Sequence, residues 1–147
     1  MPRGRRAALI VNCASRAYQR VHSFDGDWLR ALEILAAVEP DGPTPVAALL
    51  ADEAGPASRA LELTVVTASL TPGLAERLAQ RVFQRHSATL VYVDPASFAP
   101  GGATKRDPVV AAQILRLERA GVPVAVLRRG DDLVSVLGGS QLGAAVG

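Results

Sequence analysis

Three short apolar runs, LELTVVT (Leu61–Thr67), ATLVYV (Ala88–Val93) and VPVAVL (Val122–Leu127), are separated by single stretches of helical period. The stripe of the first stretch is Leu74, Leu78 and Val82, and that of the second is Val110, Ile114 and Leu117. Strands joined by one helix each imply parallel β-α-β crossovers. Strands apolar throughout imply burial on both faces. The expected fold is therefore a three-layer, mostly parallel, doubly wound α/β sheet of the Rossmann-like class, with room for an antiparallel edge strand.

Upstream, Ala7–Val11 (AALIV) reads as a further buried strand and Ala17–Phe24 as a short edge strand. From Asp27 the period becomes helical, with Trp28, Leu32, Leu35 and Ala36 on one stripe and Asp25 or Asp27 as the cap. Pro40 to Pro43 ends that helix, and Val46, Leu49 and Leu50 open another. Three helices are expected to start with a capping side chain followed by proline: Thr44-Pro45, Thr71-Pro72 and Asp107-Pro108. Gly121 suits the position just past a helix end, and a helical turn is expected near Asp131–Leu137.

The chain of 147 residues fits one domain, with residues 1–6 and 139–147 as flexible tails. At 49% apolar residues it can bury a core without staples. The net charge is +2, and the basic residues, all arginine except Lys105, are scattered among acids. With 4% aromatics there is little to stack on bases, so nucleic acid is not the expected partner. The single cysteine, Cys13, excludes an internal disulfide and is expected as a small buried side chain. No secretory signal and no span of about 20 apolar residues is visible, so a soluble, cytoplasmic chain without direct membrane insertion is expected.

The stretches AALIVNCASRAYQRVHSFDGDWLRALEILAAVEPDGPTPVAALL, LELTVVTASLTPGLAERL and LERAGVPVAVLRRGDDLVSVL resemble the von Willebrand factor A-like domain of the bacterial domain-of-unknown-function family 58. The resemblance covers roughly residues 7 to 137, through short apolar motifs. It implies a protein-interaction role, with a MoxR-type AAA+ ATPase as the associated partner, in a family anchored to the membrane through a segment absent here. Metal-binding members carry an Asp-x-Ser-x-Ser motif on a first strand that lies at the centre of the sheet. This chain has no such strand, and its own first strand resembles the family's second. It is thus expected to be a fragment, a truncated product or a domain rebuilt around a gap.

Thr44 stands where the resembled pattern has its metal-site threonine. The later aspartate of that pattern falls at Ala68, between Thr67 and Ser69. A hard divalent cation needs several oxygen ligands, usually with carboxylates among them. Neutral hydroxyls alone do not meet that need, so no metal and no cofactor are expected, and Thr44 is read as a helix cap.

Asp94 ends a strand at the carboxyl edge of the sheet, where ligands of α/β folds bind, although Asp-Pro also opens turns. Gly101 to Arg106 lies between a strand and a helix, as phosphate-binding loops do. It does not match G-x-x-x-x-G-K-[ST], and Asp107 would repel an anion, so a surface loop is expected. His22 and His86 join no triad, and Arg128 to Asp132 reads as a compact, solvated charged turn, with a partner-facing patch as the alternative. No catalytic residue is assigned and the chain is not expected to be an enzyme. The partner-binding candidates are Thr44, Ser69, Asp94, Lys105 and Arg106. The alternatives are a small enzyme or anion-binding domain working through Asp94, Lys105 and Arg106, and self-association through unpaired strands.

Overall fold

The computed structural model describes residues 7–14, 17–21, 26–53, 55–102 and 107–138. They belong to two compact units, Met1–Asp52 and Glu53–Gly147, each considered by itself. Of the two expected caps, Asp25 lies outside the described residues, as do Lys105 and Arg106, and Asp27 falls inside the first turn of its helix.

The first unit contains β1 (Ala7–Val11), β2 (Ala17–Val21), α1 (Gly26–Ala37) and α2 (Val46–Ala51). The two strands pair antiparallel, from Ala7 opposite Val21 to Val11 opposite Ala17, in a two-stranded sheet of their own, and not, as expected, as members and edge of one mostly parallel sheet. α1 packs on β2 and buries Ala31. The burial expected of β1 is not observed: Ala7, Ala8 and Ile10 are exposed. The stripe of α1 is likewise open at Trp28, Leu32 and Leu35. One helix on a two-stranded ladder supplies too few layers to cover apolar side chains on every face.

After β1 the chain turns tightly against the segment before α2. The Asn12 side-chain amide donates to the Thr44 carbonyl at 2.7 Å, and the Ala14 N–H donates to the Asp41 carboxylate at 2.9 Å. Between these bonds a Cβ on Gly42 would stand 2.5 Å from the Asn12 carbonyl oxygen, so only glycine fits. Cys13 is buried in this turn, as expected. The expected Thr44 cap is displaced by one residue: α2 starts at Val46, Pro45 occupies the cap position, and a proline offers no side-chain acceptor.

The second unit contains α3 (Pro56–Arg59), β3 (Glu62–Thr67), α4 (Pro72–Phe83), β4 (Ser87–Val93), a 3-10 turn (Pro95–Phe98), α5 (Pro108–Ala120), β5 (Val124–Leu127) and α6 (Leu133–Gly138). Its strands form a parallel sheet in the order β3-β4-β5, separate from the β1-β2 pair. The expected α/β class with parallel crossovers is therefore observed in this unit. Thr71 and Asp107 cap α4 and α5 as expected, accepting from Leu74 N–H at 3.2 Å and Val109 N–H at 2.9 Å.

α4 and α5 pack on each other, α4 also on β4 and α5 on β5. Two right-handed crossovers that advance in one direction place both helices on the same face of the sheet. By register Val65, Ala88, Leu90 and Tyr92 share one face of the sheet, and all four are buried, as are Leu74 and Leu78 of α4 and Ile114 and Leu117 of α5. Each of the fully buried leucines contributes about 1.5–3 kcal/mol. Cover on both faces, expected from the apolar strands, stops short at β3, where Glu62, Thr64 and Val66 are exposed.

Both long helices end in the same paired-bond closure. Gly121 N–H bonds the Glu118 carbonyl and Val122 N–H the Leu117 carbonyl, with Gly121 left-handed at φ 91°. In α4 the equivalent left-handed position is Arg85, at φ 63°, which costs roughly 1–2 kcal/mol relative to glycine. Arg81 anchors that end differently. It is buried, and its guanidinium donates to the carbonyls of Ala57, Ser58 and Ala60, tying α4 to the segment entering β3.

Candidate functional site at the carboxyl edge of the three-stranded sheet

Parallel strands end at a common edge, so Thr67, Val93 and Leu127 release their loops on one side of the unit. The most constrained residue there is Asp94. Its N–H donates to the Leu127 carbonyl at 2.9 Å and so extends the β4-β5 ladder by one bond. One carboxylate oxygen accepts from Ala96 N–H at 3.2 Å, and the other lies 3.7 Å from an Arg128 nitrogen. The Asp94 side chain is 6% exposed and the Arg128 side chain 32%, so the pair spans from the interior to the surface.

A second set of bonds locks the neighbouring loops. The Ser97 hydroxyl donates to the Asp94 carbonyl at 2.8 Å and accepts from Arg129 N–H at 3.0 Å. The 3-10 turn after β4 is thereby tied to the turn after β5. Arg128 N–H in turn donates to the Asp131 carboxylate at 2.8 Å. Ser135 donates to Asp132 at 2.6 Å, and that bond holds the Asp132 carboxyl below its ordinary value of 3.8.

Of the expected site residues, the structure brings Ser69 and Asp94 to this edge. Ser69 is exposed and closes a small turn in which its N–H bonds the Thr67 hydroxyl at 3.1 Å and its carbonyl accepts from it at 3.2 Å. Thr44 belongs to the first unit, where its carbonyl takes the Asn12 amide. Asp94 does open a turn, and in addition pairs with Arg128, a residue the sequence places in a solvated charged turn. β4 and β5 are adjacent, and Val93 opposite Leu127 puts the next two residues side by side, a pairing visible only once the strand order is known.

Among the described residues no group of three or more His, Cys, Asp or Glu side chains is placed to hold a metal ion. None of their helices is long and apolar enough to cross a membrane. Large apolar side chains are exposed beside the locked loops: Phe98 in the 3-10 turn, and Leu133 and Val134 at the start of α6. A rigid edge carrying exposed aromatic and aliphatic groups among charges has the makings of an interaction surface. No family model, curated protein or solved structure matches this chain.

Proposed function

We propose that this chain is a non-catalytic protein-interaction module that engages its partner through the carboxyl-edge loops of the three-stranded sheet. The observation that carries this reading is the employment of Asp94. A general base must reach a substrate proton and a metal ligand must present free oxygens. Here one oxygen caps the 3-10 turn and the other faces Arg128. Among the residues the edge leaves exposed are Phe98, Leu133, Val134, Arg129 and Asp131. These suit a protein surface better than a small molecule.

The finer reading is a von Willebrand factor A-like domain with a degenerate metal site, serving a MoxR-type AAA+ ATPase. The resembled fold places its motif-bearing strand at the centre of the sheet, and the described strands of this chain form two separate sheets. The position of the later metal-site aspartate of the resembled pattern is Ala68, whose side chain supplies no oxygen. Titration of the chain with a purified MoxR-type ATPase tests the partner. Binding that Phe98→Ala weakens by about tenfold, the loss expected of a contact worth 1.4 kcal/mol, supports the reading. Absence of binding removes this partner, and binding indifferent to Phe98, Leu133 and Val134 removes this surface.

A further inference from the structure

The outer edge of β3 offers a row of main-chain groups with a defined direction. Ser87 N–H donates to the Leu61 carbonyl at 2.9 Å, and the parallel register then runs unbroken from Glu62 opposite Ser87 to Thr67 opposite Tyr92. Main-chain groups alternate sides along a strand, so Leu63, Val65 and Thr67 bond β4 while Glu62, Thr64 and Val66 point away from it. Among the described residues no strand pairs with that outer side. Strands that stay at an edge are usually blunted by proline, lysine, a bulge or an inward charge. Glu62–Thr67 has none of these, and Glu62, at its first position, is its only charge.

We propose that β3 pairs with β3 of a second copy of this chain, antiparallel about a two-fold axis at Thr64. A two-fold perpendicular to the sheet keeps each face on its own side, so residues of the same parity meet. Thr64 then lies opposite Thr64, Glu62 opposite Val66, and Leu63 opposite Val65. The outward groups of residues 62, 64 and 66 all fall in hydrogen-bonded pairs. The strand is its own complement in three respects. Its single charge never meets its copy, a Thr–Thr pair is a favourable cross-strand neighbour, and Leu63 and Val65 extend the apolar face already covered by helices. The product is a six-stranded sheet, β5-β4-β3-β3-β4-β5, with α4 and α5 of both copies on one face.

The axis position gives the test. Thr64 is exposed, so a charge there does not disturb the core. Thr64→Lys alone and Thr64→Glu alone each place like charges opposite one another, which weakens dimerisation about fivefold or more. An equal mixture of the two variants places Lys opposite Glu and restores the dimer. Sedimentation equilibrium on the full chain reads all three. Val66→Pro removes an outward N–H without touching the bonds to β4, and converts the dimer to a monomer with unchanged circular dichroism. A wild-type chain that remains monomeric at every soluble concentration overturns the proposal. So does a dimer that both charged variants leave intact, or one that their mixture fails to restore.

Discussion

The Arg128 guanidinium stands 3.7 Å from the buried carboxylate of Asp94, joining the ends of two adjacent parallel strands. Removing Arg128 takes a nearby cation from the buried Asp94 carboxylate. Asp94→Ala also deletes the acceptor for Ala96 N–H and is expected to cost about 2–3 kcal/mol in urea unfolding. Asp94→Asn keeps that acceptor and costs about 1 kcal/mol. Arg128→Met falls between them, because the arginine is one-third exposed and part of the interaction is screened. If Asp94→Ala unfolds at the same urea concentration as the wild type, the pair contributes nothing to the fold.

Arg81 carries a second prediction. Burial pushes its pKa down, but the guanidinium stays protonated, and its fork spans the carbonyls of Ala57, Ser58 and Ala60. Arg81→Met removes the guanidinium donor from those carbonyls and is expected to cost about 2–4 kcal/mol. Lysine, a point donor, recovers little of that. Equal stability of the arginine and lysine chains would show that the fork geometry is irrelevant.

These two anchors show how much was legible beforehand. The β-α-β-α-β order of the second unit follows from apolar runs and period alone, and its two Thr/Asp-Pro caps were placed to the residue. Asp94 was found through its position at a strand end, but its partner required knowing which strands adjoin. Arg81 is not legible as an anchor, because a lone arginine on the helix of Leu74 and Leu78 reads as a solvated side chain. Its burial depends on carbonyls more than 20 residues away. The open β1 and α1 were misread because apolar runs report what a chain could bury, and not whether a second layer reaches it.

Gly42→Ala tests the turn of the first unit. The added methyl meets the Asn12 carbonyl and side chain, so the turn must open at a cost of about 1–3 kcal/mol. Hydrogen exchange at β1 and β2 is expected to accelerate, with Ala14 N–H most affected. Unchanged exchange there would mean that the two segments do not meet as described.

Asp132 sets an acid response. Its carboxyl is held below 3.8 in the folded state, mainly by Ser135. The stabilisation it gives is therefore complete above that ordinary value and is lost as pH falls through the lower folded value. In an NMR pH titration Ser135→Ala is expected to move the Asp132 midpoint upward, towards 3.8. A midpoint unmoved by the substitution would exclude the hydroxyl as the cause.

The central claim is that Asp94 serves the fold while the surface around it binds a partner. Titrating the Asp94→Asn chain with the MoxR-type ATPase proposed as partner, beside Phe98→Ala, tests it most directly. The expected result is partner affinity near wild type for Asp94→Asn, with reduced stability, and affinity about tenfold weaker for Phe98→Ala. A chain whose stability is untouched by Asp94→Asn but whose binding is abolished would contradict the claim and make Asp94 a functional group in its own right.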